Sequence, residues 1–147
     1  MGKLESLISG RVVAFDTAPL IYYIEENLTY LPLVEELFEL IDSGSAQGVT
    51  SVLTLLEVLV KPMREGRKDV ADDYRQILTG SANIYLHPIG ESVCEGAAVL
   101  RSKYPWLRTP DAIQIATALS VQADVVVTND ERWKRIVEIE VIVLDEI

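Results

Sequence analysis

The chain has 147 residues, 49% hydrophobic and 24% charged, one domain's worth of sequence with enough apolar material for a single core, which excludes disorder as its main state. Its formal net charge of −10 excludes a binder that relies on bulk positive charge to hold nucleic acid. With one cysteine, Cys94, and one histidine, His87, an internal disulfide is impossible, Cys/His zinc sites and nucleophilic pairs lack residues, and a reducing cytoplasm suits the chain.

Val12-Val13-Ala14-Phe15 is a short apolar run of the kind expected of a strand buried on both faces. Asp16-Thr17 ends it, and Pro19 is expected to open a helix from Leu20 to Glu26. Pro32 starts a second, amphipathic helix with Leu33, Leu37, Leu40 and Ile41 inward, stopping near Ser43-Gly44. Gly48-Val49-Thr50 reads as a strand, followed by a helix from about Ser51 to Lys61 that Pro62 is expected to end. The run from Val49 to Val60, broken by Glu57, is too short to cross a bilayer. The start Met1-Gly2-Lys3-Leu4-Glu5-Ser6 fits the loose acylation pattern, one common by chance.

Further along, a more polar helix is expected from Lys68 to Leu78, a strand at Ile84 to Leu86, and a helix from Glu91 to Lys103. Thr109 is a good N-cap for the helix that follows, with Pro110 at the first helical position and Asp111 in the first turn. Ala112, Ile113, Ile115, Ala116, Ala118 and Leu119 leave that helix almost no polar face, so burial on most sides is expected. Val125-Val126-Val127 is another strand, ending in Thr128-Asn129-Asp130. A short helix from Glu131 to Val137 leads to a last strand, Val141 to Val143. Strands alternating with helices predict a single domain, 1–147, of the α/β class: a three-layer α/β/α sandwich with a mainly parallel central sheet.

Ligands in such sheets bind beyond the carboxyl ends of the strands. Asp16 follows its strand directly, and Asp130 follows Val125 to Thr128, so both are expected at that rim. Glu57 is the only charge between Val49 and Val60, in a helix apolar on nearly every side, where an unpaired carboxylate costs several kcal/mol. Each acid has a structural alternative: turn or cap for Asp16, Asp111 and Asp130, a salt bridge or an exposed edge for Glu57. If the four converge, a divalent cation is the simplest way to stabilise the cluster; oxygen ligands point to magnesium, manganese or calcium, and magnesium fits an open site of few carboxylates with several retained waters.

The ordered set Val-Val-Ala-Phe-Asp16-Thr17, Thr54-x-x-Glu57, Thr109-Pro-Asp111-Ala-x-x-x-Ala and Val-Val-Thr128-Asn129-Asp130 resembles the PIN domain over about Val12 to Leu144. The resemblance implies a magnesium- or manganese-dependent ribonuclease in which Asp16, Glu57, Asp111 and Asp130 are the catalytic, metal-site acids. Thr17, Thr128 and Asn129 would be supporting polar groups. The chain looks most like the toxin half of a VapBC-type toxin–antitoxin pair, which implies a homodimer and a small antitoxin reaching into the acidic site. Its opening Asp16-Thr17-Ala18-Pro19-Leu20 departs from the Asp-Ser-Ser/Ala-Ala-Leu form of many such toxins while keeping the acid.

Eleven of the thirteen basic residues lie beyond residue 60, in three clusters that each adjoin an acidic motif. Lys61, Arg64, Arg108 and Arg132 are therefore candidates for guiding an RNA backbone; a solvated surface with pairs such as Glu131/Arg135 is the alternative. Trp106 and Tyr104 have two uses, stacking on bases or packing. Other functions are a PIN-domain nuclease of RNA processing, a silent RNA- or protein-binding module, and a phosphotransfer domain with Asp16 as nucleophile. The last would want a second aspartate two positions on, where this chain has Ala18.

Overall fold

The computed structural model describes residues 2–147; Met1, the first residue of the acylation pattern and of the expected 1–147 domain, lies outside them. Five strands, β1 (Val12–Phe15), β2 (Gln47–Ser51), β3 (Ile84–His87), β4 (Val125–Thr128) and β5 (Glu140–Val143), form one sheet in the order β3-β2-β1-β4-β5. Every pairing is parallel, as runs such as Val125 to Val127 require when both faces of a strand are covered.

Alternation along the strands divides the core. Val13, Phe15, Val125 and Val127 point into a cluster with Leu20, Leu37, Phe38, Val58 and Tyr74. Ala14 and Val126 point the other way, onto Ala97, Leu100, Ile115, Ala116 and Trp133. The first cluster is closed by α1 (Lys3–Ile8), α2 (Thr17–Ile24), α3 (Leu31–Asp42), α4 (Val52–Arg64) and α5 (Lys68–Gly80). The second is closed by α6 (Glu91–Lys103), α7 (Thr109–Ser120) and a 3₁₀ turn, Glu131–Arg135. The three-layer sandwich is therefore present. In α6, Gly96 faces α7, and a Cβ there would lie 3.4 Å from that of Ala116, about van der Waals contact.

Several local expectations change. The helix after Asp16 opens at Thr17, because the Asp16 side chain caps it by accepting from the Thr17 N–H; Pro19 falls inside its first turn, where a missing N–H is tolerated. Pro62 lies within α4, and the helix stops only at Arg64, with Gly66 at φ +66 just beyond in the left-handed conformation that suits a helix end. Thr109 is the first residue of α7, preceded by Arg108 at the N-cap. Its hydroxyl accepts instead from Arg101 Nη1 of α6, at 2.9 Å. Two short elements carried no clear sequence signal, α1 and a closing 3₁₀ turn at Leu144–Glu146.

The sheet order puts the topological switch between β1 and β4. The chain leaves β1 toward β2 and β3, then crosses back to enter β4 on the other side of β1. A crevice at the carboxyl ends of those two strands is the usual ligand site of such a sheet. Asp16 stands at that edge, its N–H donating to Val127 O at 2.9 Å.

Candidate active site

Asp16 is held by the first residue of α2 and by the end of the neighbouring strand β4. The Thr17 N–H donates to Oδ1 at 2.8 Å, and Thr128 Oγ1 donates to Oδ2 at 2.9 Å. These bonds favour the ionised form, yet burial outweighs them and, with Asp111 and Glu57 nearby, pushes the carboxyl up to about 6. Desolvation leads and like charge adds to it.

Thr17 is the link to the next acid: its hydroxyl donates to Glu57 Oε1 at 2.7 Å. Glu57 reaches this point because α4 starts at the rim, directly after β2, and presents Thr54 and Glu57 on one side, three residues apart. The rest of α4 is not wrapped in protein as its composition suggested. Leu56, Val60 and Met63 are 61%, 45% and 57% exposed, so Glu57 sits beside a partly open surface rather than inside a fully buried helix.

A hydroxyl chain fixes Thr17 and Thr54. Thr50 Oγ1 donates to Phe15 O at 2.8 Å, so Thr54, 2.8 Å away, donates to Thr50. Thr54 is then free to accept from Gln114 Nε2 at 2.8 Å, while the same amide reaches Thr17 Oγ1 at 3.4 Å. Both hydroxyls spend their protons elsewhere, which orients the Gln114 amide with its NH₂ toward them. The sequence reading did not include Gln114, Thr54 or Thr50 among the site residues. The available signal was a glutamine between the apolar neighbours of α7, three residues after Asp111.

Asp111 stands in the first turn of α7. Burial raises its pKa, Asp130 and Glu57 add to the rise, and Arg132 and Arg108 oppose it. The four sequence-identified acids thus meet electrostatically, although not on equal terms. Asp130 caps the 3₁₀ turn through the Arg132 N–H and forms a two-pronged pair with the Arg132 guanidinium, 2.7 Å at its shortest, which holds its carboxyl below the ordinary range. Among the described residues, Asp16, Glu57 and Asp111 take part in no ion pair.

Thr128 is buried and serves two residues, Asp16 and the Asp130 N–H at 3.1 Å. Asn129 turns outward, donating to Tyr22 OH at 3.1 Å and accepting from the Asp145 N–H at 2.9 Å. Tyr22 stacks on Tyr30 with centroids 4.7 Å apart. Asp16, Tyr22, Asn129, Asp130, Arg132 and Asp145 all line a cleft of about 560 Å³.

Of the four basic candidates, Arg108 and Arg132 lie near enough to act on Asp111. Lys61 and Arg64 do not join them: they lie about 6 and 10 Å further down the α4 axis than Glu57, and Lys61 is 3.5 Å from Glu25 at the far end of α2. The Glu131/Arg135 pair named with the alternative, a solvated surface, is absent among the described ion pairs; Arg135 lies over the Trp106 ring, 5.7 Å from its centroid. Tyr104 is occupied by Glu138, donating to its Oε1 at 2.7 Å.

Among the described residues, no three carboxylates, histidines or cysteines are closed around one point as a finished metal cage. What the site offers is three carboxylates without an ion-pair partner, two of them shifted upward by burial and by neighbouring acids. That donor set fits a hard divalent ion that keeps several waters and takes one or two carboxylates.

Residues 13–139 match the model of the PIN domain, and the chain belongs to the PIN domain family. Solved structures share its fold: VapBC2 from Rickettsia felis bound to a promoter DNA fragment has 16% identity and a TM-score of 0.71, covering 89% of this chain and 97% of that one. A toxin–antitoxin complex from Klebsiella pneumoniae has 22% identity and a TM-score of 0.63, covering 90% and 97%. FitAcB from Neisseria gonorrhoeae has 18% and 0.67, covering 92% and 99%. No curated protein matches the sequence. No helix among the described residues is long and apolar enough to cross a membrane.

Proposed function

We propose that this chain is a magnesium- or manganese-dependent endoribonuclease and the toxin component of a type II toxin–antitoxin pair. The observation that carries the nuclease reading is the group Asp16, Glu57 and Asp111, three neighbouring acids without ion pairs at the switch-point edge of a PIN sheet. Asp16 and Asp111 would hold the ion, with Glu57 and Asp130 flanking it. A bound ion supplies a nucleophilic water near neutral pH and offsets charge on the phosphoryl group. Thr17 and Thr128 fix the Asp16 carboxylate, and Gln114 keeps Thr17 aimed at Glu57. Arg108 and Arg132 attract the RNA backbone to the edge.

The toxin reading is supported by coverage of more than nine-tenths of the VapBC, FitAcB and toxin–antitoxin chains compared. Its partner would be a small antitoxin that enters the acidic cleft. A homodimer is supported by the exposed stripe Leu56, Val60 and Met63, at i, i+4 and i+7 of one helix. A cytoplasmic location suits the single free cysteine.

The deciding experiment is cleavage of a mixed RNA pool in magnesium, manganese or EDTA by wild type and Asp111→Asn. Cutting that needs metal and disappears in the variant is the expected result. RNA left intact by partner-free wild type in every metal would overturn the reading. Light scattering of wild type and Leu56→Glu checks the dimer, expected to dissociate in the variant.

A further inference from the structure

Arg132 is held on two sides, by the Asp130 carboxylate and by an aromatic ring. Its Nε and Nη2 donate to the two oxygens of Asp130 at 3.0 and 2.7 Å, and its own N–H adds a third bond, to Oδ1, at 3.0 Å. Its guanidinium lies 5.9 Å from the centroid of the Trp106 ring, within cation–π range. Trp106 is itself supported edge-on by Tyr104, with centroids 6.0 Å apart, and Tyr104 accepts from the Val137 N–H at 3.2 Å.

Asp130 therefore already has a cation on it, unlike Asp16, Glu57 and Asp111. A divalent ion approaching this carboxylate must displace the guanidinium or stay away. A planar guanidinium fork fits carboxylate and phosphate alike. The displaced Arg132 has an acceptor of matching geometry wherever an RNA phosphate lies beside the ion, and Trp106 is an uncharged rest against which it can move. We propose that Arg132 is an internal gate on the acidic site: it occupies Asp130 in competition with the divalent ion and passes to the scissile phosphate when metal and RNA are both bound.

This inference rests on the nuclease reading, but its test does not need cleavage. Manganese binding is followed by electron paramagnetic resonance, without RNA, in wild type, Arg132→Gln and Arg132→Lys. The side chain is half-exposed, so the substitutions leave the core intact, and circular dichroism verifies this. Arg132→Gln is expected to bind manganese about 5- to 10-fold more tightly, from the loss of a competing partner and a nearby positive charge. Arg132→Lys, which keeps the charge and loses the fork, should fall between. At saturating manganese, Arg132→Gln should nevertheless cut RNA about 10-fold more slowly, having lost its phosphate contact.

Unchanged or weaker manganese binding in Arg132→Gln overturns the gate, and does so whether or not the wild type cuts RNA. Tighter binding in the variant, with no cutting by wild type, supports the competition at Asp130 while removing the ribonuclease reading.

Discussion

The two sides of the acidic site hold their carboxylates in opposite ways. On the inner side, Asp16 and Glu57 are held by neutral groups: the Thr17 N–H and hydroxyl and the Thr128 hydroxyl. On the outer side, Asp130 is held by a guanidinium. Neutral donors orient a carboxylate without cancelling its charge, so burial and repulsion win and Asp16 rises to about 6, whereas Asp130 falls below its ordinary value. The inner side is thus an arranged shortage of positive charge, and the outer side has that shortage filled by the protein itself.

The sharpest way to break this contrast is to remove each acid in turn. Asp16→Asn and Asp111→Asn should each lower RNA cleavage by more than about 100-fold, since even supporting residues of a metal site cost about 10- to 100-fold. Asp130→Asn should cost less, because that acid is already partly neutralised. Single-turnover cleavage at saturating metal measures all three, and equal losses would erase the distinction.

Gln114→Ala comes next. It removes the donor shared by Thr54 and Thr17, leaves the buried Thr54 oxygen without a donor from α7, and is expected to destabilise the fold by about 1–3 kcal/mol and slow cleavage about 10-fold. Denaturant unfolding and kinetics on the same preparation test both.

A third prediction concerns pH in EDTA. The Asp16 carboxyl titrates near 6 in the folded chain against 3.8 ordinarily, so between those values the native state binds the extra proton and stability declines as pH rises. Asp111, shifted the same way, adds to this slope. Asp130 has the opposite sign: its pairing stabilises the fold above pH 3.8 and is lost as pH falls through its depressed value. The melting temperature of Asp16→Asn should therefore gain on that of wild type by a few degrees between pH 4 and 7; parallel curves would refute the assignment.

The smallest effects belong to the basic residues. Arg108→Ala should reduce the salt dependence of RNA binding by about 0.7 in the log–log slope, the value of one single-strand phosphate contact. Lys61→Ala and Arg64→Ala, carried down α4, should leave the slope unchanged.

Much of this arrangement is legible in the chain before it folds, for identifiable reasons. Short β-branched runs such as Val125-Val126-Val127 favour strands covered on both faces, and an acid directly after such a strand emerges at the sheet edge. That logic located Asp16 and Asp130 correctly. It failed for Thr109, whose hydroxyl serves Arg101 rather than its own helix, because a bond between residues eight apart on two helices has no local signature. It failed for Pro62 for a similar reason: backbone preference is outweighed once the proline ring is buried in a packed last turn.

The sequence alone determined the order of the strands and main helices and the parallel sheet, and put forward the four acids as candidates, because hydrophobic period and residue type act locally. Only the tertiary structure decided how those acids differ. The hydroxyl chain from Phe15 through Thr50 and Thr54 to Gln114 joins residues up to 99 positions apart. The ring beneath Arg132 comes from a different turn of the chain. A carboxylate's charge state depends on what surrounds it in space, and those surroundings exist only after β1 and β4 have met.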